Sequence, residues 1–273
     1  MKALRNILDF FLYSNLFISL CAAAMTAETY LLVHAEINFL YVIFVIVSSV
    51  ALYNFPVLFF AENETHSERS RWISENKKLI SIISFPAFVS AGILLFFFPF
   101  KFILFFSAAG LVSLSYFLPV TNLRAIPVVK AVAVALVWTC VTFIFPLLLS
   151  PLPFGESWRE ALLYFFFLLP LAIAFNIRDI TVDRDAGVKT FPVIFGIQKT
   201  KSVCLFFLLL LCGLVFFLPL ETKIRIAFLL STFATAVLIS IASERRSEYF
   251  YSLWMDGMIL FQFLLVWVLQ NFF

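Results

Sequence analysis

The chain has 273 residues, of which 63% are hydrophobic and 13% charged, far from the roughly half-apolar, quarter-charged mixture of soluble domains. That composition excludes an ordinary soluble enzyme and indicates an integral membrane protein with room for about nine spans of roughly 20 residues. A formal charge of only +3, with no basic stripe interleaved with aromatics, gives a nucleic-acid partner no support.

Lys2 and Arg5 precede the first apolar run, about 10–33. This run is long, contains Asn15 and Glu28 and lacks a small-residue cleavage site, so it reads as a first helix rather than a signal peptide. Further runs follow at about 38–60, 79–98, 100–118, 127–149, 160–179, 201–219, 222–243 and 248–271. A backbone in lipid must satisfy its own hydrogen bonds, and runs of this length do not alternate as barrel strands do, so each is predicted helical. The expected fold is all-α, with about nine transmembrane helices in one bundle that takes in residues 1–273 as a single domain. If residue 1 is cytoplasmic, only Lys101, Arg159, Lys223 and Arg225 of the nineteen Lys and Arg residues fall outside. The positive-inside rule then places the N-terminus in the cytoplasm, at the inner membrane if the source is bacterial, and the C-terminus outside. Cys21, Cys140, Cys204 and Cys212 lie inside apolar runs without a CxxC pair, and read as packing residues.

The two longest inner connections, about 61–78 and 180–200, follow the second and sixth runs, as a duplicated four-helix unit would arrange them. Asn54 and Asn176 sit at matching places near the ends of those runs, with Pro56 and Pro170 close by. Proline in a membrane helix frees a carbonyl, which is tolerated where the helix lines a polar cavity, so the pair points toward one lipid-accessible cavity. Paired broken helices also suit a transporter. Glu28 and Asp256 are costly at depth and are expected to face the bundle interior or a water-filled cavity. Asn15, with Ser14 and Asn54, would form a polar floor near the inner surface. The 38 phenylalanines fit a cavity that stabilises a carbocation through ring faces, although most such rings should face lipid.

Charge clusters directly behind an apolar run at one place, "NIRDITVDRDAGVKTFPVIFG", residues 176–196. If the sixth helix continues past its apolar part, Asn176, Asp179 and Asp183 stack on one face at i, i+3 and i+7. Two carboxylates so placed repel each other, and Mg²⁺ would relieve this, since it typically takes one or two carboxylates plus substrate phosphate oxygens. Gly187 would end the helix, leaving Arg184 and Lys189 to reach the same ligand. On spacing alone, a solvated juxtamembrane salt-bridge cluster fits equally well.

This stretch resembles the second aspartate-rich motif of the UbiA-type intramembrane prenyltransferases, with Asn176, Arg178, Asp179, Asp183, Arg184, Gly187, Lys189, Thr190, Pro192 and Gly196 in register. The resemblance implies a bundle around a lipid-accessible cavity, in which Mg²⁺ bridges two acidic motifs to the diphosphate of a polyprenyl donor and a lipophilic acceptor captures the allylic cation. On that reading Asp179, Asp183 and Asn176 form the catalytic centre. The family's first motif, NxxxDxxxD, corresponds here to Asn54, Leu58 and Glu62, which leaves Asn54 and Glu62 to join Asp179 and Asp183 at the metal. A lysine that the family often carries after the fourth span is replaced by Val120, so Arg124 or Lys130 would reach the diphosphate together with Arg178, Lys189, Arg184 and Arg69. The degenerate first motif admits a second reading, a relative that binds a prenyl lipid or quinone without transfer.

Overall fold

The computed structural model describes residues 2–59, 68–117, 127–150 and 157–272. Every one of the nine apolar runs is helical. The order is α1 (Lys2–Tyr13), α2 (Leu16–Leu32), α3 (Phe39–Phe59), α4 (Glu68–Glu75), α5 (Lys77–Leu95), α6 (Phe100–Phe117), α7 (Pro127–Thr139), a π-helical turn (Cys140–Ile144) and α8 (Phe145–Leu148). There follow α9 (Trp158–Arg178), α10 (Ile180–Asp185), α11 (Phe191–Phe195), α12 (Ile197–Phe217), α13 (Thr222–Ile241), a second π-helical turn (Phe250–Met255) and α14 (Asp256–Phe272). Among the described residues, seven helical segments are long and apolar enough to cross a membrane, and the bent pair α1–α2 makes an eighth. The run at 100–118 is helical too, as α6, and Phe100–Leu114 is the part of it described in full.

The interruptions have identifiable causes. Asn15 adopts a left-handed backbone (φ 64°), and the axis turns by 61° between α1 and α2. Asparagine tolerates this conformation better than any larger side chain. Proline at 146 has no N–H, so the π turn before it leaves the carbonyls of Val141 and Thr142 without their helical donors. Side chains from other helices supply them: Tyr41 Oη donates to Val141 O at 2.6 Å, and Thr29 Oγ1 to Thr142 O at 2.6 Å. A break inside lipid is thereby satisfied within the protein.

The second span, α3, packs on α5, the span after it, and the sixth, α9, packs likewise on α12. α2 lies against α3 and α14, and α7 against α9. α9 is the most enclosed span, with 61% of its apolar window buried, and Leu163, Tyr164, Phe167, Ala174 and Ile177 give it a fully packed side. A satellite cluster of Tyr41, Phe44, Phe98, Phe102 and Phe145 joins α3, α6 and α8 by offset and edge-on ring contacts.

Glu28 is fully buried in α2 and faces the bundle interior, the first of the two places expected for it, and it is not among the residues that line the cavity described below. Its Oε1 accepts from Gln262 Nε2 of α14 at 3.0 Å, and Gln262 in turn accepts from Ser231 of α13. In lipid such a chain couples three helices, because each polar group's alternative is hydrocarbon. Glu28→Gln keeps an acceptor for Gln262 and is expected to leave stability within about 1 kcal/mol of the wild type. Glu28→Ala strands the amide and is expected to cost about 2 kcal/mol, measured by unfolding in detergent micelles. Equal stabilities for the two variants would refute the coupling.

Candidate functional site

α3, α7, α9 and the start of α14 enclose a cavity of about 520 Å³, closed at one end by α4 and α10. Leu12, Ile18, Leu52, Val57, Ala131, Val134, Leu168, Leu171 and Ile259 make most of it apolar. The polar residues gather toward α4 and α10: Asn15, Arg69, Lys130, Asn176, Arg178, Asp179, Asp183 and Asp256. Pro56 lies on the wall, whereas Pro170 is buried and does not line it. Both α3 and α9 line this one cavity, but each runs unbroken through its proline, which corrects the expectation of interrupted helices.

The carboxylates are not stacked on one continuous helix. α9 ends at Arg178, Asp179 stands in the turn (φ −90°, ψ 8°), and α10 starts afresh at Ile180. The Asp179 carbonyl accepts the Asp183 N–H at 2.8 Å, so one hydrogen bond spans the junction and keeps both aspartates beside the cavity. α10 ends in a Schellman arrangement, with Val188 N–H donating to Asp183 O at 2.7 Å and Gly187 N–H to Arg184 O at 3.1 Å. Gly187 takes the required positive φ of 68°, so it ends the helix as its place in the sequence predicts.

Arg178 bridges this cluster. Its Nε and Nη2 donate to the two oxygens of Asp179 at 2.7 and 3.1 Å, and Nη1 lies 3.6 Å from Glu248. The guanidinium lies over the rings of Phe175 and Tyr251, at 5.3 and 5.9 Å. Burial is the largest influence on the Asp179 carboxyl and would raise it; the Arg178 charge and hydrogen bonds, with the charges of Lys130 and Arg69, together outweigh burial and hold it below the ordinary carboxylate value. Arg69 is affected first by burial and then by the Arg178 charge, both of which lower its pKa. Asn176 is nearly buried, and its Nδ2 has no partner among the described residues.

The remaining residues expected at the site fall in different places. Lys130 lines the cavity. Arg184 and Lys189 are exposed and do not line it: Arg184 follows Asp183 on α10 and so projects from a different side of that helix, and Lys189 comes after the turn at Gly187. Asn54 is fully buried one layer behind the wall. Its Oδ1 accepts from Asn15 Nδ2 at 2.7 Å, and its Nδ2 donates to Ser14 O at 3.0 Å. Glu62 and Arg124 lie outside the described residues. Glu248 was not legible in the sequence: it follows the Arg245–Arg246 pair, in no motif, and only the fold brings it to Arg178. The aromatic residues on the cavity wall are Tyr53, Trp138 and Phe175, a single phenylalanine among them.

Among the described residues, no group of three or more His, Cys, Asp or Glu is placed to hold a metal ion, so a protein-only cage does not fit. An ion shared with a substrate does fit. Among the described residues, the charged groups that line the cavity are three cations, Arg69, Lys130 and Arg178, and three carboxylates, Asp179, Asp183 and Asp256. Asp179 and Asp183 offer the hard oxygens that Mg²⁺ prefers, and the unpartnered Asn176 Nδ2 is a donor suited to a phosphate oxygen.

A helical bundle of apolar spans around a largely apolar chamber with charged residues on its lining defines a multi-pass integral membrane protein with an internal cavity. The family model for UbiA prenyltransferases matches residues 61–265, and the chain belongs to that family. Membrane prenyl transfer is the general activity of this family. No curated protein and no solved structure matches the chain significantly.

Proposed function

We propose that the chain transfers a polyprenyl group from its diphosphate to an aromatic or other lipophilic acceptor inside the membrane, with Mg²⁺ at Asp179 and Asp183. The observation that carries this reading is the bipolar cavity, which matches an isoprenoid diphosphate in length-wise polarity. The isoprenoid tail lies among Leu52, Ala131, Val134 and Leu171, while the head meets Arg69, Lys130 and Asn176. A bound magnesium ion would neutralise charge on the diphosphate and so favour its departure. Asn176 and the basic residues orient the head, and the apolar walls keep water from the allylic cation. Tyr53 and Trp138 are the aromatic side chains on the described wall available to stabilise that cation, at up to about 2 kcal/mol each in a dry site, whereas the Phe175 ring already carries the Arg178 guanidinium. The whole chain forms one such domain, with its acidic end on the cytoplasmic side.

Purified protein incubated with radiolabelled geranylgeranyl diphosphate and a membrane lipid extract as the acceptor source is expected to release diphosphate, with the prenyl group joined to an acceptor, only when Mg²⁺ is present. The Arg178–Asp179 pair favours a second reading, in which the guanidinium keeps the carboxylate from metal and the chain binds a prenyl lipid without turnover. Saturable binding of the labelled lipid with no diphosphate release at any Mg²⁺ concentration would establish that alternative and end the transferase proposal.

A further inference from the structure

The bend between α1 and α2 places three polar side chains in a forced order. Ser14 O can only accept, so the Asn54 amide must turn its Nδ2 toward it, at 3.0 Å. Asn54 Oδ1 then faces Asn15, whose Nδ2 donates to it at 2.7 Å. Asn15 Oδ1 is left pointing the other way, and it accepts from Arg69 Nη2 at 2.7 Å. Arg69 can only donate, so donor and acceptor roles are consistent from end to end. Asn54 and Asn15 are buried, at 0% and 3% exposure, whereas Arg69 reaches the cavity. The helix that carries Arg69, α4, has no buried residue, and its ion pair from Glu68 to Arg5 is long and exposed. The carboxylates of Glu248, Asp256 and Asp179 attract the guanidinium at longer range, and Asn15 is the side chain seen to accept its hydrogen bond.

We propose that Asn54 is a positioning residue that acts through Asn15 to aim Arg69 at the head of a prenyl diphosphate, and that it does so without ligating metal. The proposal rests on the prenyl-diphosphate reading above. It departs from the ligand role that the family's first motif implies for Asn54. The next motif position is Leu58, with no carboxylate to share an ion, and both ends of the Asn54 amide are committed inside the protein. The left-handed backbone at Asn15 belongs to the same device, because the bend brings its amide between α3 and α4.

The test is binding of a non-hydrolysable geranylgeranyl thiodiphosphate to the full chain in micelles, first with EDTA and then across a Mg²⁺ series. Loss of one charge-assisted contact is worth roughly tenfold in affinity. Asn54→Ala, Asn15→Gly and Arg69→Ala are each expected to weaken binding in EDTA by about tenfold. The Mg²⁺ midpoint should stay at the wild-type value. Asn15→Gly removes the amide yet keeps the positive φ, which separates the side chain from the bend. The double variant Asn54→Ala/Arg69→Ala is expected to bind no more weakly than Arg69→Ala alone. The proposal is overturned if Asn54→Ala leaves binding in EDTA unchanged and raises the Mg²⁺ midpoint, the behaviour of a metal ligand. Additive losses in the double variant also overturn it. Failure of the wild-type chain to bind the probe at all would instead overturn the diphosphate reading, and with it the ligand assigned to Arg69.

Discussion

Asp179→Ala is expected to lower Mg²⁺-dependent diphosphate release by about 100-fold or more, the scale on which a single preorganised electrostatic contact to a leaving group acts. Three features concentrate the effect on this residue. Asp179 sits at the junction of α9 and α10, it lines the cavity, and the Arg178 charge keeps it ionised. Because its folded-state pKa is depressed, the ionised form persists above and through the ordinary carboxylate range and is lost only when pH falls below that range. Metal binding at Asp179 should therefore survive mild acid, and an acidic fall in rate at pH 5 to 6 would have to come from another group. Asp179→Asn removes the charge at nearly constant shape and is expected to lose as much activity as Asp179→Ala. Full diphosphate release by either variant, with the fold intact by circular dichroism, would remove Asp179 from the mechanism.

Arg178→Leu is expected to destabilise the bundle by about 2 kcal/mol, since it removes the cation that Asp179 and Glu248 share and leaves Arg69 and Lys130 to compensate Asp179 only in part. The guanidinium is 20% exposed and Glu248 14%, so solvent screens the triplet only in part. Arg178→Lys keeps a charge but loses the fork that grips both oxygens of Asp179, and about 1 kcal/mol of the loss should remain. Glu248→Gln relieves one of the two carboxylates, so in combination with Arg178→Leu it should recover part of the lost stability. Unfolding of the variants in detergent checks the series. Wild-type stability in Arg178→Leu would mean that the loop before α14 is held by its rings alone.

How far the candidate site was legible varies residue by residue. Asp179 and Asp183 stood out because charge directly behind an apolar run is expensive and because their spacing repeats a known motif. Their exact relation did not, since a continuous helix would stack them and the turn at Asp179 instead hands them from one helix to another. Arg184 and Lys189 look like partners by proximity in sequence, yet both are exposed, Arg184 on another side of α10 from Asp183 and Lys189 beyond the glycine turn. Asp256 was visible as a costly intramembrane acid, but its place on the wall of the same cavity depends on the approach of α14 to α2. Glu28, an acid of equal apparent cost, went to a separate polar contact with Gln262 on α14.

The sequence by itself determined that the chain is helical, that its apolar runs number nine, and which end of the sixth run carries the ionic cluster. Hydrogen bonding within a helix is local, and lipid leaves the backbone no other partner, so run length and composition are sufficient. Tertiary structure alone decided which polar side chains share a chamber, that Glu248 meets Arg178, and that Asn54 turns to Asn15 rather than into the cavity. Those outcomes depend on the rotation and crossing of each helix, which are set by close packing between residues far apart in the chain.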